Sequence, residues 1–182
     1  MNPASLTRRT GLACAVAALL LTSCASAPTP SDYARETPLL DLRSYFNGPL
    51  TAHGVFTDRA GKVVRRFTVR MTGTWSGDQG VLDEDFSYSD GTKERRVWRL
   101  TDHGQGRYSG RADDVVGEAV GQGAGNALNW RYTLALPVDG RVWHVQFDDW
   151  MYLMDGHVML NKAVMSKFGI TLGEVTLAFS KP

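Results

Sequence analysis

From Pro49 onward, apolar and polar residues alternate in short runs, and the segments between the runs are too brief to hold a helix. The strand candidates are Leu50 to Thr57, Val63 to Thr72, Val81 to Ser89, Lys93 to Leu100 and Arg107 to Asp113, followed by Leu128 to Leu136, Arg141 to Asp149, Gly156 to Val164 and Thr171 to Phe179. Asp58-Arg59-Ala60-Gly61, Ser89-Asp90-Gly91-Thr92 and Val138-Asp139-Gly140-Arg141 carry the Asp-Gly and Gly chemistry of hairpin turns. Connections this short join only antiparallel neighbours. Eight or nine such strands predict a mainly β domain, an antiparallel up-and-down barrel or strongly curved sheet of lipocalin-like form. Ahead of them, Thr37-Pro38 offers a cap and a proline at the first helical position, and Leu39, Leu42, Tyr45 and Phe46 follow at helical spacing. A short helix ending at Gly48 is expected to plug one end.

Alternation also sorts side chains onto faces. Phe67, Val69 and Met71 fall together, as do Leu128, Trp130, Tyr132, Leu134 and Leu136, then Trp143, Val145 and Phe147, then Val175, Leu177 and Phe179. Glu84 shares a face with Leu82, Phe86 and Tyr88, and Arg96 shares one with Trp98 and Leu100. The hairpin at Asp90-Gly91 makes these two strands neighbours, so an interior Arg96–Glu84 pair is expected.

The first 23 residues read differently. Arg8 and Arg9 precede an apolar run from Gly11 to Leu21, too short to span a bilayer but suited to a signal peptide. Leu21-Thr22-Ser23-Cys24 closes it in the pattern of a lipobox, where Cys24 would receive a diacylglyceryl group and, after cleavage, a further acyl chain such as palmitate. The expected organisation is a leader over residues 1–23, a lipidated cysteine and flexible Pro-punctuated tether over 24–36, and one domain over 37–182. Ala25, rather than aspartate, follows the cysteine, which favours an outer-membrane, periplasm-facing location. Multiple acyl chains anchor stably because each buried methylene contributes about 0.8 kcal/mol. Cys14 leaves with the leader, so disulfide chemistry is excluded from the domain. Without Arg8 and Arg9 the chain has 18 basic against 19 acidic residues, which gives no reason to expect nucleic acid as a partner.

Other motifs lack their chemical context. The run Gly117 to Asn126 is glycine-rich, but position 126 breaks the Gly-x-Gly-x-x-Gly pattern and no βαβ unit surrounds it, so a mobile loop over the barrel mouth is expected. Gly73-Thr74-Trp75-Ser76-Gly77 misses the nucleophile elbow by one place. His53, His103, His144 and His157 are dispersed, so no metal site is expected, and no cofactor. Of Asp113-Asp114 and Asp148-Asp149, one member each can face inward, to tie a loop or act as an acid or base. The aromatic stretch Phe147-Asp148-Asp149-Trp150-Met151-Tyr152 suits a pocket rim or an edge facing a membrane.

Several of these segments together resemble the DUF3833 family of uncharacterised bacterial lipoproteins. The resemblance rests on Tyr45-Phe46-Asn47-Gly48, Arg65-Arg66-Phe67, Glu84-Asp85-Phe86, Arg95-Arg96-Val97-Trp98, Tyr108 through Gly117, Gly125-Asn126-Ala127, Asp148 through Tyr152, Asn161-Lys162 and Ser166 through Gly169. It implies an envelope-lipid context and transfers no catalytic residues. The expected function is a lipid-anchored module that binds or carries a fatty-acid or phospholipid-like ligand. Arg96 would meet its acidic head group, Glu84 would hold Arg96, and Trp98, Trp130, Tyr132 and Trp143 would line the cavity, with Trp150 and Tyr152 at the rim. The alternative is a scaffold or interaction lipoprotein with a fully packed barrel. An enzyme using Asp113, Asp148 or Asp149 on an envelope lipid ranks last, because no nucleophile, metal cluster or cofactor loop accompanies them.

Overall fold

The computed structural model describes residues 26–182; the leader and Cys24 lie outside them. Ten strands run along the chain: β1 (Gly48–Asp58), β2 (Val63–Ser76), β3 (Gln79–Tyr88), β4 (Lys93–Asp102), β5 (Arg107–Arg111), β6 (Ala119–Ala124), β7 (Ala127–Val138), β8 (Arg141–Leu153), β9 (Val158–Lys167) and β10 (Ile170–Ser180). Each pairs with the next, and β10 pairs with β1, which closes the sheet into an up-and-down antiparallel barrel. The turn chemistry works locally. Asp58 Oδ1 accepts from the backbone N–H groups of Ala60 and Lys62, and Asp90 Oδ1 accepts from that of Thr92, with Gly91 at a positive φ of 86°.

The inward rows carry the core: Leu50 and Ala52 of β1, Val69 and Met71 of β2, Leu82 of β3, Trp98 and Leu100 of β4, Leu128, Trp130 and Leu134 of β7, Val145 and Phe147 of β8, and Met159, Ala163 and Met165 of β9 are all buried in one cluster. A single helical turn, α1 (Leu42–Tyr45), plugs one end. Asp41 caps it, accepting from the Ser44 N–H at 3.0 Å. Behind it the Phe46 ring meets Phe179 edge-on at 5.6 Å, and its carbonyl accepts from Trp75 Nε1 at 3.1 Å. The helix starts later than Thr37-Pro38 because the preceding segment is tied to the barrel instead, with Leu40 N–H donating to the Gly125 carbonyl at 2.8 Å.

The expected mobile loop over Gly117 to Gly125 is a strand for most of its length. β6 pairs with both β5 and β7. Its glycines serve close packing: a Cβ on Gly121 would fall 2.4 Å from the Trp130 ring, and one on Gly110 of β5 would fall 2.8 Å from Leu100 and 2.9 Å from the same indole. Trp130 thus occupies the space those two residues leave empty, and the missing side chains are the signal that sequence periodicity cannot see.

Gly121→Ala should therefore destabilise the domain by about 1–3 kcal/mol through overpacking. Gly123→Ala, whose Cβ would meet nothing closer than 3.4 Å, should be neutral or slightly stabilising. Equal denaturation midpoints for the two variants would contradict the seating of Trp130.

Candidate functional site

β5 and β6 are short, and this leaves a gap in the wall. β5 covers only Arg99 to Asp102 of β4, so residues 93–98 of β4 pair on one side alone. On the far side of the gap, β6 covers β7 only as far as Arg131. The connection between β5 and β6 fills the space by folding back along β7: Val115 bridges Leu134, Val116 N–H donates to the Thr133 carbonyl at 2.8 Å, and Ala135 N–H donates to that of Asp114 at 2.8 Å. Arg96 then reaches across from β4. Its Nε and Nη2 donate to the Asp114 carboxylate at 2.9 and 2.7 Å, in the forked geometry that makes arginine–carboxylate pairs strong.

The expected Arg96–Glu84 partnership is thereby corrected in emphasis. The two are direct cross-strand neighbours, but Arg96 Nη1 stands 4.0 Å from Glu84 Oε2, and Asp114 is what holds the guanidinium. Sequence reasoning placed Asp114 among loop-tying carboxylates without a partner, because no spacing rule joins residues on a strand and a distant connection.

Two further carboxyls lie inside. Glu84 and Asp149 are buried, and Glu84 Oε2 and Asp149 Oδ1 have no hydrogen-bond partner. Burial pushes the Glu84 carboxyl up to about 7 against the pull of Arg96. Burial and the adjacent Asp148 charge push Asp149 up to about 8, with Arg96 and the Tyr132 hydroxyl opposing. Asp149 is the inward member of its pair, as alternation requires, while Asp148 faces out and accepts from Asn129 Nδ2 at 2.5 Å. Around these groups run the aromatics: Trp98 meets Trp130 at 5.8 Å and Tyr132 at 5.5 Å, both edge-on, and Tyr132 stacks on Phe147 at 4.9 Å.

The structure therefore brings Glu84, Arg96, Trp98, Trp130 and Tyr132 together in the lumen. It does not place Trp143 there. That side chain is 41% exposed at the open end, because β9 pairs with β8 only from Gln146 onward and nothing covers the strand before it. Trp150 and Tyr152 lie on the outer wall, where Tyr33 of the N-terminal segment packs against them at 5.7 and 5.3 Å.

Two concave surfaces of the described residues are lined by outward residues together with the inward Phe67, Tyr88, Tyr132 and Phe147. One of about 620 Å³ crosses the outward rows His53, Thr68 and Ser87, with Leu160 and Ala178 on the adjoining strands. A second, about 450 Å³, lies beneath the β5–β6 connection between Val116, Arg131 and Gln146. A protein-family profile described as a protein of unknown function, DUF3833, matches residues 18–181. The chain belongs to the DUF3833 family. No curated protein matches it.

The two raised carboxyls give this DUF3833 barrel a pH signature. Each binds its proton more tightly when folded than when unfolded, so the stability it contributes is full below the ordinary carboxylate range. That contribution is lost as the pH rises through about 7 for Glu84 and about 8 for Asp149. Asp149→Asn should flatten the upper part of the decline and leave the domain about 1–3 kcal/mol more stable than the parent in mild alkali. Chemical denaturation at a series of pH values checks this, and an unchanged slope would contradict a buried, neutral Asp149.

Proposed function

We propose that this DUF3833 protein is a lipoprotein held to the outer membrane through Cys24, and that its barrel is a packed scaffold which works through its outer surface. The observation that carries this reading is the seating of large inward rings on three wall glycines of the adjacent strand. A Cβ on Gly54 would fall 2.5 Å from the Phe67 ring, one on Gly80 2.6 Å from Trp75, and one on Gly121 2.4 Å from Trp130. Together with the single cluster of buried side chains contributed by most strands, this seating supports a packed interior. The leader, the small residues before Cys24 and the Pro-punctuated tether support the anchor.

A carrier role is favoured by one observation, the unpartnered oxygens of Glu84 and Asp149. Those groups are acceptors or neutral acids, and Arg96 is already engaged by Asp114, so an acidic head group gains little there. A carrier built on this site would take a ligand whose head group donates hydrogen bonds.

Native mass spectrometry of the protein extracted from its own envelope tests both parts. The expected mass is that of residues 24–182 plus acyl groups on Cys24 and nothing more, and Cys24→Ser should lose those groups. A stoichiometric non-covalent lipid would favour the carrier. A mature-size, acylated Cys24→Ser product would overturn the anchor.

A further inference from the structure

At the open end the β7–β8 and β9–β10 hairpins are neighbours, since β8 pairs with β9, and the register sets Phe168 beside the His144 level of β8, below the longer Asp139-Gly140 tip by about 13 Å. Their turns are alike: Asp139 and Gly140 have φ of 49° and 74°, Phe168 and Gly169 of 51° and 76°. Two successive positive φ values define the primed turn that asks for Asn or Asp followed by Gly. The first hairpin has that chemistry and the second does not. A bulky residue in the left-handed region is an outlier, and Phe168 takes no compensation from packing, because it is 88% exposed. Neither turn formation nor the core accounts for it.

Its neighbours share the pattern. Val142 is 65% and Ile170 59% exposed, and Trp143 stands beside them. Lys167 Nζ lies 5.0 Å from the Trp143 ring centroid and 4.9 Å from that of Phe168, and Arg141 adds a second cation against the single acid Asp139. Aromatic and branched apolar side chains with lysine and arginine stems among them match the boundary between lipid head groups and acyl chains. A protein interface of ordinary size would cover about 800 Å² per partner with a contiguous face, which two protruding turns do not offer.

From this geometry we infer that the neighbouring hairpin ends, with Phe168 as the exposed ring on the shorter one, insert into an anionic lipid surface. The proposal rests on the scaffold reading only in placing the work outside the barrel. Trp150, where the N-terminal segment packs, lies seven residues along β8 from Trp143, about 23 Å. Tyr33 of the N-terminal segment and the apolar tips therefore lie toward opposite ends of β8.

The test uses the full chain carrying Cys14→Ser and Cys24→Ser, with a single environment-sensitive label on Ile170→Cys. The control is a label on Asp78→Cys, in the turn between β2 and β3 at the plugged end. With vesicles of mixed phosphatidylglycerol and phosphatidylcholine, the tip label should shift to the blue and be quenched by brominated lipid, less so at high salt, while the control label should not. Phe168→Asn should weaken the tip response about tenfold and also raise the melting temperature, since asparagine suits the turn. Lys167→Glu with Arg141→Glu should weaken the response without that rise. An unquenched tip label on chain that sediments with vesicles would overturn the proposal. So would a Phe168→Asn response equal to the parent's, or a tip label that answers only to lipid-free envelope protein. None of these outcomes depends on what the lumen holds.

Discussion

The forked bond between Arg96 and Asp114 spans the gap that the two shortest strands leave in the wall of a closed barrel. Ten strands complete the circuit, but β5 and β6 are about half the length of their neighbours, and between β4 and β7 the wall is a folded-back connection held to β7 by two backbone hydrogen bonds. A charge pair spans the remaining gap. Taking both charges from water is costly, and only full hydrogen bonding offsets the cost. Arg96 meets that condition through Nε and Nη2, both bonded to Asp114, while Nη1 stands 4.0 Å from Glu84, and burial, which disfavours its charge, is outweighed by Asp114 and Glu84. The same requirement explains why Glu84 and Asp149 are driven toward the neutral form: one arginine cannot balance three carboxylates in a medium that screens charge poorly.

Around that cluster the interior is completed by shape. Glycine and aromatic residues are complementary across the lumen, a small residue on one strand making room for a ring from its neighbour. On the scaffold reading proposed above, such an arrangement directs attention outward, to the surface hollows and the exposed hairpin tips, while Glu84 and Asp149 each keep one buried oxygen without a partner. The tip sequences make the point in miniature. Asp139-Gly140 is the turn that folding favours, and Phe168-Gly169 is the same turn made with a residue that folding disfavours. Local rules broken without a structural return mark places where something other than stability set the sequence.

Nine of the ten strands, the antiparallel pairing and the hairpin positions were legible in the sequence because period-two alternation and Asp-Gly turns are local signals. β6 was not, because Ala-Val-Gly-Gln-Gly-Ala has almost no side chains to alternate, and its strand state depends on rings contributed by β7. The helical turn was legible as a plug, yet its start was misplaced by a tertiary hydrogen bond at Leu40. Parity correctly gave Glu84, Arg96, Trp98, Trp130 and Tyr132 to one interior. It misassigned Trp143, since alternation names a face and says nothing about where neighbouring strands stop. Asp114 was legible only as one of a carboxylate pair, without its partner, because Arg96 is 18 residues away and reaches it only because β5 ends early.

The filled lumen is the claim on which the functional argument turns, and a crystal structure of the protein purified from its native cells tests it most directly. The account predicts unbroken side-chain density from Phe67 through Trp98, Trp130 and Tyr132, with Arg96 forked onto Asp114. Elongated non-protein density beneath Trp98, with Arg96 turned away from Asp114 toward it, would contradict the account and restore the barrel as a carrier.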